Sequence, residues 1–164
     1  MSSTPREIDP EKTFEGIVNW IKDTVESERA PGVVVGLSGT DSILTFLACA
    51  EAFNRLGKPQ KVLGVHFVHK EHRPAPQDKI QCTADDFDWF AQKIIPWLKT
   101  KAPSAQIEID DSLSESNDSL RWGKIFSRAV RDVDPRHNMT SEHFFPVGTP
   151  NATEQALGSY TQQS

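Results

Sequence analysis

Apolar residues in KTFEGIVNWIKDTVESE (Lys12–Glu28) fall at Phe14, Ile17, Val18, Ile21 and Val25, three or four apart. That is the period of an amphipathic helix. Arg29–Gly32 (RAPG) stops it, because proline and glycine both break the pattern. Val33–Leu37 then reads VVVGL, a short apolar run rich in β-branched residues, as a buried strand does. SGTDS (Ser38–Ser42) is a tight polar turn, and an apolar helix follows to about Leu56, where Gly57 is the expected stop. KVLGVHFV (Lys61–Val68) is a second apolar strand, so the pattern predicts a βαβ unit with a right-handed crossover.

Further along, His69–Gln81 is polar and proline-bearing, hence a loop, and Thr83 to about Thr100 is helical in pattern. Pro96 is expected to kink that helix or end it early. Ala105–Ile109 reads as a third strand, Asp110–Asp118 as an acidic loop, Ser119–Val133 as a helix and Phe144–Val147 as a fourth strand. The loop GTPNATE precedes a short final helix. Alternating strands and helices predict a single doubly wound α/β domain: a parallel sheet of about four or five strands with helices on both faces. Residues 1–10 are polar and are expected to be a flexible N-terminus, with 11–164 forming the domain.

Composition narrows the function classes. Over 164 residues, 37% are hydrophobic and 25% charged, and the net charge is −5. These values suit an ordinary globular chain, and an acidic balance argues against a broad nucleic-acid-binding face. No apolar run approaches the length of a membrane span, and the polar N-terminus lacks the apolar core of a signal peptide. Cys49 and Cys82 do not make a disulfide framework, so idle thiols in a reducing cytoplasm are expected.

The chemistry concentrates in SGTDS. Ligands of open parallel sheets bind beyond the carboxyl ends of the strands. There Ser38, Gly39 and Thr40 offer backbone N–H groups at a helix start, where the dipole favours an anion. The hydroxyls of Ser38, Thr40 and Ser42 are further donors. Asp41 would repel a phosphate unless a divalent cation such as Mg²⁺ stood between them. The competing reading is that Asp41 and Ser42 only cap the helix. The stretch is neither a Walker A loop nor a GxGxxG fingerprint.

SGTDS resembles the SGGxDS pyrophosphate loop of the N-type ATP pyrophosphatases, which are adenine nucleotide alpha-hydrolase-like, Rossmann-like proteins. Its flanks look most like the NAD synthetase family. VGTPNATEQALGSYTQQS (Val147–Ser164) is similar to that family's GTxxxxE…GYFTKYGD segment, with Thr149, Glu154, Gly158 and Thr161 kept. NDSLRWGKIFSRAV resembles its N-x-K-A-R-x-R-M helix, with Asn117 and Arg121 matching. The resemblance implies adenylation of the carboxylate of deamido-NAD by ATP, then amidation by ammonia to NAD. It implies that Ser38, Gly39, Thr40 and Ser42 cradle the phosphates and Thr149 contacts ATP. Asp41 and Glu154 would hold Mg²⁺, and Arg121 would contact deamido-NAD. The implied partners are a small-molecule substrate and a homodimer mate or other protein, with neither nucleic acid nor membrane.

The match also departs from the family. SGTDS is one residue short, and a shorter anion nest rotates its N–H groups. The family's second arginine falls at Gly123, where adjacent Lys124 offers a point charge instead of a fork. Its FTKYGD lysine falls at Gln162, and the family pattern continues beyond Ser164. The alternative is therefore a degenerate, non-catalytic homologue that binds nucleotide or a protein partner. HFVHKEH brings together His66, His69, Glu71 and His72, residue types that suit zinc, but the spacing matches no standard pattern. A ligand-facing loop is the preferred reading; through the resemblance, His69 or Arg73 would touch nucleotide.

Overall fold

The computed structural model describes residues 8–68, 90–110, 118–131 and 142–148. Helix α1 (Pro10–Ser27) starts with a Pro at its first turn, and the Asp9 side chain accepts the Lys12 N–H at 3.1 Å. A proline loses nothing there, because that N–H has no intrahelical partner. The helix thus begins slightly before its apolar period. It buries Val18, Ile21 and Val25. Strand β1 (Val33–Leu37) is followed by helix α2 (Thr40–Arg55), a 3₁₀ turn (Pro59–Lys61) and strand β2 (Val62–Phe67).

Both helices end in the same way. Ala30 N–H donates to Val25 O at 2.9 Å, and Lys58 N–H donates to Phe53 O at 2.9 Å, the wide turn that closes a Schellman cap. Gly57 takes the left-handed position after α2 at φ 71°, as its sequence position predicts. After α1 the same position falls to Arg29 at φ 53°, a conformation that favours glycine.

Only the last part of the predicted Thr83–Thr100 helix lies within the described residues. Phe90–Ile94 winds as a π-helix and runs into helix α3 (Ile95–Lys101), with Pro96 in its first turn. Proline cannot donate back to the preceding turn, and a widened π turn absorbs the missing bond. Strand β3 (Gln106–Asp110) and helix α4 (Asp118–Ala129) follow. The helix predicted to reach Val133 stops at Ala129. Val130–Arg131 instead forms a two-residue strand, β4, antiparallel to β5 (Glu142–His143). Strand β6 (Phe145–Val147) completes the main sheet.

The main sheet is parallel, in the order β3-β2-β1-β6. From β1 the chain steps through β2 to β3, then returns by α4 to lay β6 on the other side of β1. The direction of winding therefore reverses between β1 and β6. This is the topological switch point of a doubly wound sheet, and ligands bind at such points.

Both faces are covered. On one, Val33, Val35, Leu37 and Val62 pack with α1, α2 and the α3 residue Leu98. On the other, Val34, Leu63, Val65 and Phe67 pack with Ile125 of α4 and with Phe144. Helix α4 approaches closely because Gly36 has no side chain: a Cβ there would stand 2.8 Å from Ile125 Cδ1. Gly64 does the same for α2. A Cβ at Gly64 would stand 2.7 Å from Leu37 Cδ1 and 2.9 Å from Phe46 Cε2. Phe46 is fully buried, a contribution of about 1.5–3 kcal/mol. Cys49 is buried beside it in the same cluster, and burial pushes its thiol up to about 12, so it is unreactive. Among the described residues no helix is long and apolar enough to cross a membrane.

These contacts predict opposite effects for two glycine replacements. Gly64→Ala should lower stability by about 1–3 kcal/mol, because it overpacks the Leu37–Phe46 contact. Gly16→Ala, in open space on α1, should raise it by about 0.5–1 kcal/mol through helix propensity. Urea unfolding followed by circular dichroism measures both.

Candidate functional site

The turn at the switch point is built around one hydroxyl. Ser42 lies on the third residue of α2 and is 2% exposed. Its Oγ accepts the N–H of Ser38 at 2.9 Å and of Gly39 at 3.0 Å, and donates to Gly39 O at 2.8 Å. Gly39 is the N-cap in extended backbone, and its carbonyl also receives the Ile43 N–H at 3.0 Å. Neither Asp41 nor Ser42 occupies the cap position. Ser42 reaches back from inside the helix, the reverse half of a capping box.

This arrangement divides the expected phosphate donors. Ser42 is in the turn, but its hydroxyl faces the backbone. The N–H groups of Ser38 and Gly39 are bonded to it. Ser38, Thr40 and Asp41 are exposed, with Asp41 in the first turn of α2. The first-turn N–H groups have no intrahelical acceptor, so Thr40 presents its N–H and hydroxyl at the positive end of the helix dipole. An exposed carboxylate beside them suits a hard divalent cation such as Mg²⁺.

The sheet sets β6 next to the strand that leads into this turn. Val147 pairs with Val35, so the chain leaves β6 through Gly148 beside the carboxyl end of β1. Thr149 and Glu154 lie outside the described residues, as do His69, Glu71, His72 and Arg73. Among the described residues no group of three or more metal-ligating side chains occurs.

Arg121 lies half-buried in the first part of α4, close enough to lower the pKa of His66 by its charge. Lys124, the candidate stand-in for a missing arginine, turns to Asp110 at 3.8 Å. Arg128 also reaches Asp110, at 2.9 Å, and Glu108 at 3.3 Å. Asp110 is 6% exposed, and its pairing with α4 offsets a burial that would otherwise be costly. Lys124 therefore serves the β3–α4 junction.

His66 is the residue whose role the motif reading missed. It stands opposite Leu37 in the β1–β2 register and is 7% exposed. Its Nδ1 lies 2.9 Å from Leu37 O. A carbonyl only accepts, so Nδ1 carries the proton and Nε2 is left as an acceptor. Nε2 is buried and has no hydrogen-bond partner among the described residues. The ring stacks on Phe90, with centroids 4.5 Å apart and planes 17° apart. Burial lowers the pKa of His66 below the ordinary 6.5; the Leu37 bond opposes this, and the Arg121 charge adds to it. The sequence signal was a titratable residue inside a strand that is otherwise wholly apolar. Phe90 had no such signal, because only the tertiary fold brings it there.

An open parallel sheet, helices on both faces and a turn opening a helix at the switch point define a doubly wound α/β domain. A family model described as NAD synthase matches residues 13–163, and the chain belongs to the NAD synthase family. The NH3-dependent NAD+ synthetases of Methanosarcina acetivorans and Methanosarcina mazei are 31% and 30% identical to it over 163 residues. Each alignment covers 94% of this chain and 58% of the relative, so the chain spans less than two thirds of the relatives' length. The NH3-dependent NAD synthetase of Campylobacter jejuni, solved in complex with the nitrate ion, has the same fold. The TM-score is 0.61 at 17% identity, over 94% of this chain and 62% of that one. The glutamine-dependent NAD+ synthetase of Acinetobacter baumannii, solved with adenosine diphosphate, gives 0.58 at 17% identity, over 100% of this chain and 30% of that one.

Two measurements follow from this geometry. Ser42→Ala removes the acceptor shared by the half-buried Ser38 and Gly39 N–H groups and should cost about 0.5–1.5 kcal/mol in urea unfolding. His66 is held neutral in the fold, whereas the unfolded chain takes up its proton below the ordinary 6.5. Its depressed value therefore makes stability fall as pH drops through 6.5 toward the folded value. The stability of wild type relative to His66→Phe should decline between about pH 8 and about pH 5, read from urea midpoints.

Proposed function

We propose that the chain is an ATP-dependent amide-ligase domain of the NAD synthase type. The observation that carries the reading is the Ser38–Ser42 turn at the switch point, with β6 paired beside β1 up to Val147. ATP phosphates lie at the start of α2, where Thr40 donates from its N–H and hydroxyl and Ser42 holds the turn in shape. That the Acinetobacter synthetase of the same fold was solved with adenosine diphosphate supports a nucleotide ligand.

In the proposed reaction a carboxylate oxygen of deamido-NAD attacks the α-phosphorus of ATP. The bond from that phosphorus to the bridging oxygen breaks, and pyrophosphate leaves. Ammonia then attacks the acyl carbon of the adenylate, AMP departs with the carboxyl oxygen, and the nitrogen loses a proton to give the amide. Asp41 and Glu154 would hold a Mg²⁺ ion, whose positive charge would offset the charge on the departing pyrophosphate. Arg121 orients the deamido-NAD by charge from α4. Ser38 and Gly39 support the turn through their bonds to Ser42.

One observation favours a second reading. The N–H groups of Ser38 and Gly39 face inward onto Ser42 Oγ, which leaves fewer donors for a phosphate. A nucleotide-binding or protein-interaction module without turnover would accommodate that.

Incubation with ATP, MgCl₂, deamido-NAD and ammonium chloride separates the two readings. The ligase reading expects pyrophosphate, AMP and NAD in equal amounts. It also expects Asp41→Ala to lower kcat/KM by about 100-fold or more, as the loss of metal-borne charge stabilisation implies. ATP binding without turnover, by a chain shown to be folded, would establish the second reading.

A further inference from the structure

Helix α4 is fastened to the sheet at two places, on different strands. Ile125 is the buried apolar residue among the described side chains of the helix, and it sits over Gly36 of β1. Lys124 and Arg128 reach Asp110 of β3, two strand spacings or about 10 Å to the side. Each oxygen of that carboxylate has its own cation. Oδ1 has Lys124 Nζ at 3.8 Å, and Oδ2 accepts from Arg128 at 2.9 Å. Arg128 also reaches Glu108 at 3.3 Å, so its guanidinium bridges two carboxylates on one face of β3. Apolar contact has no direction, so a helix held through one apolar side chain can still roll about its axis. The second attachment removes that freedom. Asp110 is 6% exposed, and a carboxylate so buried holds its cations because losing them strands the charge.

Arg121 lies seven residues before Arg128. Seven residues make about two turns, about 10 Å along the axis, and return to the same side of the helix within about 20°. Whatever fixes the roll of α4 at Arg128 therefore fixes the direction in which Arg121 leaves it. Arg121 is half-buried, and its charge acts on His66 near the carboxyl end of β2, so it stands beside the crevice.

We infer that Asp110 is a positioning residue for the substrate: by holding Arg128 and Lys124 it sets the roll of α4 and aims Arg121 at deamido-NAD. The inference rests on the reading of Arg121 as a contact for that substrate. The start of α2 takes its place from β1, so a roll of α4 moves Arg121 and leaves the turn where it is. Substrate binding and phosphate binding should then respond differently.

Calorimetric titration with deamido-NAD, and with inorganic pyrophosphate in the presence of Mg²⁺, tests this on Asp110→Asn and Arg128→Gln. The second variant leaves Lys124 on Asp110 and decides the matter if the first does not fold. Both variants should bind deamido-NAD about tenfold more weakly than wild type, as the loss of one charge-assisted hydrogen bond implies, and pyrophosphate as wild type does. In an Arg121→Met background neither change should weaken deamido-NAD further, because the effect passes through Arg121. Wild-type affinity for deamido-NAD in Arg128→Gln overturns the inference and leaves the reading of Arg121 standing. So does an equal loss with and without Arg121, the mark of a pair that serves stability alone. A folded wild type that does not bind deamido-NAD removes the reading of Arg121, and this inference with it.

Discussion

Strand Val33–Leu37 is hydrogen-bonded along both edges and covered on both faces, and every other part of the site takes its position from that confinement. A strand paired on both sides cannot slip in register without breaking two ladders and exposing its apolar side chains. Its carboxyl end is therefore a fixed point. The Ser42 hydroxyl secures the two residues after it, and the His66 imidazole secures the last carbonyl within it. Both are buried polar groups whose hydrogen bonds go to the backbone of one short stretch, Leu37–Gly39.

That anchoring sets the chemistry of the crevice. A turn held by an internal serine presents its helix start in one geometry, which is what preorganised anion binding requires. The same serine engages the N–H groups of Ser38 and Gly39. Asp41 and Thr40 remain exposed on the outside of the turn.

Much of the architecture was legible because its causes are local. The apolar period of α1, the β-branched runs of β1 and β2 and the stop at Gly57 follow from side-chain direction and backbone preference within a few residues. The π turn ahead of Pro96 was foreshadowed by the missing N–H, though not its form. The end of α4 was misjudged because Val130–Arg131 gains a strand partner at Glu142–His143, a contact remote in sequence. Lys124 looked available for substrate by its place in a motif. Its ion pair with Asp110 comes from the packing of α4 over β3.

The sequence by itself determined the strand–turn–helix at Val33–Leu56, its chemical character and the family to which it points. Those features depend on residue types and on spacing along one segment. Tertiary structure alone decided that β6 returns beside β1 to make the switch point. It decided too that Ser42 faces inward, and that His66 meets Leu37 and Phe90 with one nitrogen left over. Each of these depends on which backbone group or ring lies within hydrogen-bonding or stacking distance, and such distances are set by the packing of segments far apart in the chain.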